Sequence, residues 1–243
     1  MISCSKQTGN CYESTGEIIT ETRQVPYFNS LKMLDNVDVE LISGNENLIE
    51  VTAGKNIINN IIVEVVDSEV HQDTVLMSSK QLKISNINEC NWLRSYDKPI
   101  KVKICCRNIM NIEYRSNGDL DCIDPIEKDT FAINVYEGSG IINLHLISKL
   151  SYLNFHYGTA DLNVKGSSMV NYLYQASFGK VDAREFITNF NYLENRSSND
   201  CYVNAKVYLG ATINSIGNVY YTGNPLGKSL IKNGSGNFFP IVE

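Results

Sequence analysis

One short motif returns at a fixed interval through the second half of the chain. The pair Tyr-Leu begins at Tyr152, Tyr172 and Tyr192, so successive copies are 20 residues apart. Glycine or asparagine at a predicted turn follows nearly the same period, at Gly118, Gly140, Gly158, Gly179, Asn199, Gly217 and Gly236. A period of this length is typical of a solenoid, in which each repeat forms one structural unit that stacks on its neighbours.

The residues that follow each turn alternate between apolar and polar, which is the pattern of a half-buried β-strand. The residues two and four positions after the turn are predicted to point inward; they are Leu120, Cys122, Ile142, Leu144, Ala160, Leu162, Val181, Ala183, Cys201, Val203, Val219 and Tyr221. The first half of the chain also has short apolar or alternating segments and no stripe with the helical period. The sequence therefore predicts an all-β fold, a right-handed single-stranded parallel β-helix with coils of about 20 residues, and about ten or eleven coils if the first half continues the winding.

The repeated tyrosines are the main candidates for a binding surface. Because strand residues alternate between faces, Tyr152, Tyr172 and Tyr192 are predicted to point outward as a ladder of rings one strand spacing apart. Tyr174 is expected on the same side of its coil, two residues along. Two interpretations remain open: the stacked rings stiffen one face of the solenoid, or they offer a rigid platform to a glycan or a surface protein.

A second outward row lies three positions after each predicted turn and is partly acidic. Its members are Asp121, Asn143, Asp161, Asp182, Tyr202 and Tyr220. Carboxylates stacked one coil apart repel each other, so Asp121, Asp161 and Asp182 are weak candidates for a calcium site. The alternative is a solvated acidic face whose charge is compensated by nearby lysine and arginine side chains.

Asn199 occupies the turn position that glycine fills in the six other predicted coils. Asparagine is the residue that best tolerates a left-handed backbone after glycine. The alignment therefore predicts a left-handed corner at Asn199.

The seven cysteines fall into groups with different expectations. Cys122 and Cys201 occupy inward positions four coils apart, too far to bridge, and are expected to be small apolar fillers. Cys105 and Cys106 are adjacent and must face opposite sides. One of them pairs with Cys90 or all three remain free thiols; the sequence leaves both possibilities open.

Charge and hydropathy exclude several classes of protein. The net charge of -6 and the pI near 5.2 argue against a nucleic-acid partner. No apolar run is long enough to span a membrane. Residues 1–15 are expected to be a tail before a domain at 16–243. Within this tail, Cys4 follows Ser3 and is either the acylated residue of a bacterial lipoprotein or part of an ordinary tail.

Sequence motifs for catalysis are weak. The segment from Gly223 to Ser229 has too few residues between its glycines for a phosphate-binding loop, and Ser139 lies in Gly-Ser-Gly rather than in a nucleophile elbow. The three histidines, among them His156, are scattered without metal-ligand spacing. We expect no catalytic residues and no cofactor.

Segments at both ends of the chain resemble a known family. They are Gly16-Glu-Ile18, Val25 to Leu31, Val37 to Gly44, Gly217 to Pro225, and Gly234-Ser-Gly236. This combination is similar to the bacterial head GIN domain, the family of autotransporter-adhesin type with a pectin-lyase-like β-helix shape. The resemblance implies a protein of the bacterial cell envelope, exported and often lipid-anchored, which supports acylation of Cys4 as its sole link to the membrane.

The expected function is non-enzymatic binding or adhesion at the cell envelope. An alternative is a polysaccharide lyase or hydrolase, because such enzymes share the scaffold. A lyase needs a carboxylate cluster beside an arginine or lysine base, and the outward rows offer acids without clustered bases. A third alternative is a structural spacer at the cell surface.

Overall fold

Strands make up 68% of the computed structural model, which describes residues 14–72, 75–89 and 100–241. The strands are β1 (Ile18–Gln24), β2 (Ser30–Asp35), β3 (Asp38–Ser43), β4 (Leu48–Gly54), β5 (Ile61–Gln72), β6 (Val75–Asn86), β7 (Lys101–Cys106), β8 (Asn111–Ser116), β9 (Leu120–Cys122), β10 (Ile126–Gly138), β11 (Ile141–Phe155), β12 (Asp161–Gln175), β13 (Val181–Asn195), β14 (Cys201–Ile213), β15 (Val219–Thr222), β16 (Gly227–Lys232) and β17 (Phe238–Pro240). A single 3-10 turn at Ile58–Asn60 is the one helical element in those ranges. The predicted β-solenoid is confirmed, with coils of about 20 residues.

The second half of the chain forms the regular part of the solenoid. Strands β10 to β14 stack in parallel, and the register aligns Tyr152 with Tyr172 and Tyr172 with Tyr192. The backbone of β12 leaves the extended conformation at one residue, which we call its bend. In β12 the bend is at Gly166, where φ is +110° and an added Cβ would lie 2.1 Å from the carbonyl oxygen of Leu146. Only glycine fits this position, because both the backbone conformation and the close approach exclude a side chain.

The first half does not continue the winding in the order of the chain. The number of coils is about six rather than ten or eleven. Strand β2 lies between β6 and β8, and β3 lies between β7 and β9, so residues 81 positions apart become neighbours, as Ser30 and Asn111 do. Strands β1 and β4, β4 and β7, and β5 and β6 pair antiparallel. The short strands predicted for the first half are present, but their alternating pattern does not specify their partners.

The predicted register is wrong by two residues at one coil. Ile142 pairs with Leu162, so the turn position equivalent to Gly140 is Ala160 and not Gly158. A shift of two residues keeps every side chain on its original face, and Ala160 and Leu162 are therefore both buried as predicted. The outward row therefore contains Asn163, which pairs with Asn143, and the prediction of Asp161 in that row is wrong.

The predicted left-handed corner at Asn199 is wrong. Asp35 and Asn224 are the non-glycine residues with positive φ in the described ranges. Glycines at the turn position are required for a different reason, which is close approach between coils: a Cβ at Gly179 would lie 1.8 Å from the carbonyl oxygen of Ala160. Asn199 has room for its side chain, whose amide donates to the carbonyl oxygen of Phe178.

The core is a continuous apolar column that runs through the coils. Its largest fully buried side chains include Tyr114, Phe155 and Phe186. The Tyr114 hydroxyl donates to the carbonyl oxygen of Gly118 at 2.8 Å and accepts from the Gly140 amide at 3.1 Å. Burial raises the pKa of this phenol, so it stays protonated and keeps both hydrogen bonds.

The cysteines with described positions are free thiols. Cys122 and Cys201 are buried, as predicted, and burial raises the pKa of the Cys122 thiol to about 12. Cys106 is buried and Cys105 is half-buried, which confirms that they face opposite sides. Cys90 lies outside the described residues.

Candidate functional site

The predicted tyrosine ladder is present on the surface. The Tyr152 and Tyr172 rings stack with centroids 5.3 Å apart and planes 11° from parallel, and the Tyr172 and Tyr192 rings stack at 5.1 Å and 17°. Tyr174 lies two residues further along the same side of its coil. We call the surface formed by Tyr152, Tyr172, Tyr174 and Tyr192 the tyrosine face. Its four members are the residues that the sequence proposed for binding.

The alternation of β12 and its neighbours fixes the direction of these rings. The leucine that follows each tyrosine is buried in the core, as Leu173 is, so the tyrosine must point outward. Tyr172 is 41% exposed and Tyr192 is 38% exposed, while Tyr152 is half-buried. The parallel ladder holds the backbone of each coil, so the Cα positions that carry the rings are set before any ligand arrives.

The ladder ends at Gly210, which the register places opposite Tyr192 in the next coil. A Cβ at Gly210 would lie 3.0 Å from Cδ1 of Tyr192. The Tyr208 ring lies beside Tyr192 with centroids 6.0 Å apart, but it is tilted by 48° and does not continue the stack. One side of the Tyr192 ring therefore faces the small residues Gly210, Ala211 and Ser229 instead of another parallel ring.

This interruption forms a cavity of about 420 Å³, which we call the notch. Aromatic, acidic and hydroxyl side chains line it. They are Tyr172, Tyr174, Tyr192, Tyr208, Glu194, Thr212 and Ser229, and the lining also includes Ile231. The volume is within the range typical of small-molecule sites, about 300 to 1,000 Å³.

The carboxylate of the notch is held in a fixed position. Glu194 accepts a hydrogen bond from Nε of Arg196 at 2.6 Å and another from Nδ2 of Asn214 at 2.7 Å. The Arg196 guanidinium also lies over the Tyr174 ring, 5.9 Å from its centroid. The hydrogen bond to Glu194 raises the pKa of Arg196.

Sequence reasoning missed a second aromatic group beside the tyrosine face. The His156 ring stacks on Tyr136 with centroids 4.7 Å apart and planes 7° from parallel, and it also lies 5.5 Å from Tyr174. The Arg115 guanidinium lies 4.5 Å from the Tyr136 centroid. Burial lowers the pKa of His156, whose Nε2 atom has no partner in the described residues. The 20-residue interval between Tyr136 and His156 is the signal that could have identified this pair.

The three acidic metal candidates are not brought together. The register places Asp121 and Asp182 in one row with three coil steps between them, and it moves Asp161 out of that row. Asp161 instead accepts a hydrogen bond from the backbone amide of Lys180 at 2.7 Å. The Asp182 carboxylate is hydrogen-bonded by Arg184, which lowers its pKa. Within the residues that the structure describes, no three acidic, histidine or cysteine side chains are grouped to hold a metal ion.

Two further features concern the membrane. Cys4, the predicted lipidation site, lies outside the described residues. In the described part of the chain, no helix is both long enough and apolar enough to cross a bilayer.

Comparison with known proteins agrees with this architecture. A family model described as "putative auto-transporter adhesin, head GIN domain" matches residues 27–225. A putative adhesin from Bacteroides fragilis has a similar structure, with a TM-score of 0.78 and 19% identity over 93% of this chain and 97% of that one. For a putative adhesin from Parabacteroides distasonis the TM-score is 0.63 and the identity 16%, over 93% of this chain and 98% of that one.

A further structure from Parabacteroides distasonis, described as a putative lipid binding protein, has a TM-score of 0.61 and 18% identity, over 93% of this chain and 98% of that one. At these identities the structural matches establish the fold alone. No curated protein matches the chain. The family model covers most of the sequence, and the chain therefore belongs to the head GIN domain family of autotransporter-adhesin type.

Proposed function

We propose that this protein is a non-enzymatic adhesin of the bacterial cell envelope that binds a glycan or a surface protein through its tyrosine face. The observation that carries the proposal is the stack of Tyr152, Tyr172 and Tyr192, which ends in the open notch at Gly210. Exposed aromatic rings grouped on one face are a common feature of binding surfaces.

The chemistry of the notch suits a ligand with hydroxyl groups. The Tyr192 and Tyr208 rings supply an apolar wall, and Thr212 and Ser229 supply hydroxyls that donate and accept hydrogen bonds. Glu194 adds a carboxylate acceptor that is already oriented by Arg196. Because these groups are mounted on paired strands, little side-chain or backbone freedom is lost when a ligand binds.

The arrangement of acids supports a binding role over hydrolysis or elimination. A lyase needs a carboxylate cluster beside a cationic base. Asp121 and Asp182 are separated by three coil steps, and Asp182 is engaged with Arg184 and Lys180. Sugar turnover by the purified domain would contradict this part of the proposal.

The adhesin family suggests a surface or exported protein. We further propose that the chain is tethered to the envelope through an acylated Cys4. Fractionation of cells that express the natural gene and its Cys4→Ser variant tests the anchor: the variant should leave the membrane fraction. Identical partitioning of the two forms would rule out the anchor without affecting the binding proposal.

A glycan-array screen of the purified domain tests binding, and a reducing-sugar assay on each hit tests for turnover. Hits are then measured with Tyr172→Ala, which removes the middle ring of the ladder. Tyr27→Ala is the matched control, because Tyr27 is 54% exposed and is not part of the tyrosine face. Binding should fall at least tenfold in Tyr172→Ala, which is about 1.4 kcal/mol, and should be unchanged in Tyr27→Ala. If the array gives no hit, the same two variants are compared for adhesion to whole cells, which also detects a protein ligand.

A further inference from the structure

A second row of outward side chains lies three positions after the turn of each coil. It contains four polar residues one coil apart, which we call the amide row: Asp121, Asn143, Asn163 and Asp182. Three aromatic residues continue the row to the end of the solenoid, and we call them the aromatic extension: Tyr202, Tyr220 and Phe239. One register therefore joins a polar strip to an aromatic strip.

The amides of this row form a directed chain of hydrogen bonds. Asn163 donates from Nδ2 to Oδ1 of Asn143 at 2.9 Å, and Asn143 donates from Nδ2 to Oδ1 of Asp121 at 2.7 Å. Each of these contacts uses one of the two N–H groups of its amide. The second N–H of each amide has no partner among the described residues. Asn163 is exposed and Asn143 is half-exposed. The row therefore holds its amides in a fixed orientation with donors left over for a ligand.

A groove of about 760 Å³ lies over the amide row. Its sides include Lys165, Arg184 and Glu185, all exposed. Together with Asp121 and Asp182 the lining carries two cations and three carboxylates, so its formal charge is close to zero. A nearly neutral groove with many donors and acceptors gives no net attraction to a polyanion or a polycation.

Arg184 connects the two parts of the row. Its Nε donates to Oδ1 of Asp182 at 2.8 Å, and its guanidinium carbon lies 5.1 Å from the Tyr202 centroid. Beyond it the Tyr202 and Tyr220 rings stack at 4.8 Å and 12°, and the Tyr220 and Phe239 rings stack at 5.1 Å and 25°. The groove is thus continuous with a rigid apolar strip along the axis of the solenoid.

We propose that this groove is a second binding site, separate from the tyrosine face, and that its ligand is a neutral oligosaccharide. Sugar hydroxyls both donate and accept, which matches a row of two oriented amides flanked by two carboxylates. The apolar faces of sugar rings match the aromatic extension. The groove is within the volume range of ligand sites and is long enough to cover several coils. An uncharged ligand also agrees with the near-zero charge of the lining.

The test is a titration of the uniformly ¹⁵N-labelled domain, followed by NMR of the asparagine side-chain amides. The probes are three neutral pentasaccharides, cellopentaose, mannopentaose and laminaripentaose, with pentagalacturonate as the acidic counterpart. At least one neutral probe should shift the side-chain signals of Asn143 and Asn163, and pentagalacturonate should bind at least tenfold more weakly than that probe.

Variants assign the binding to the groove. Asn163→Thr removes the exposed amide and should weaken the neutral probe at least tenfold, and Asn143→Thr is a second variant in case the first does not fold. Asn189→Thr is the matched control, because Asn189 is an exposed asparagine of β13 outside the groove, and it should leave binding unchanged. Tyr172→Ala should also leave this binding unchanged, which separates the groove from the tyrosine face.

Three results would overturn the proposal: no shift of either amide by any neutral probe at millimolar concentration, tighter binding of pentagalacturonate, or full binding by folded Asn163→Thr and Asn143→Thr. A loss of binding in Tyr172→Ala alone would assign the sugar to the tyrosine face and remove the groove as a site.

Discussion

The bend at Gly166 gives a quantitative test of the coil geometry. In Gly166→Ala the new methyl group would lie 2.1 Å from the carbonyl oxygen of Leu146, on a backbone with φ of +110°. The strained backbone alone costs about 1 to 3 kcal/mol. Relief of the contact requires a shift of packed backbone, which costs about 1 to 3 kcal/mol more. We expect a loss of about 2 to 6 kcal/mol, which for a chain of this length lowers the Tm by about 4 to 24 °C.

Gly210→Ala is the matched control for this prediction. Its Cβ would lie 3.0 Å from Cδ1 of the Tyr192 ring, a side chain that can move, and its φ is not in the left-handed region. The control should therefore remain within about 1 kcal/mol of the natural protein. Urea denaturation of the three proteins measures the difference. A Gly166→Ala variant as stable as Gly210→Ala would mean that β12 does not bend at this position against β11.

Three further predictions concern other parts of the molecule. Carbodiimide should cross-link Lys32 to Glu113, whose charged atoms are 3.0 Å apart across β2 and β8, and peptide mass spectrometry detects the product. Absence of this cross-link, when other ion pairs are captured, would contradict the non-sequential stacking of the first half. NMR titration of the Asp182 carboxyl should give a pKa below the usual aspartate range, because Arg184 hydrogen-bonds the charged form, and Arg184→Gln should raise that pKa. The lowered pKa means that this contact stabilises the fold above about pH 3.9, the pKa of an unfolded aspartate. The contribution is lost as the pH falls through the pKa of the folded protein. An unchanged pKa of Asp182 in Arg184→Gln would refute the assignment. The Cys122 thiol should resist Ellman's reagent in the native protein and react after unfolding, because burial raises its pKa to about 12, and rapid native modification would show that its coil is open.

The tyrosine ladder could be predicted from the sequence because its interval equals the coil length. Tyr152, Tyr172 and Tyr192 are 20 residues apart, and the register pairs each tyrosine with the next. At one coil the prediction is wrong by two residues, because Ala160 and not the nearby Gly158 occupies the turn position. The notch was not predicted because it depends on a missing ring at Gly210, and an absence leaves no periodic signal.

The first half of the chain shows what alternation cannot specify. Strands β2 and β3 have the pattern of a half-buried strand, and that pattern is the same for parallel and antiparallel partners and for near and distant ones. The contact between Ser30 and Asn111, 81 residues apart, therefore has no counterpart in any local motif. For the same reason the predicted outward row contains Asp161 in place of Asn163. These two residues share a face, and only the register distinguishes them.

The most direct test of the binding role is the triple variant Tyr152→Ala, Tyr172→Ala, Tyr192→Ala. Loss of two stacked pairs should cost about 1 to 3 kcal/mol, so the variant should remain folded with a lowered Tm. Adhesion to cells, or the affinity for a glycan identified by the array, is then measured at a temperature where circular dichroism shows a folded protein. We predict at least a tenfold loss relative to Tyr27→Ala. Full binding by the folded triple variant would contradict the assignment of the tyrosine face as the binding surface.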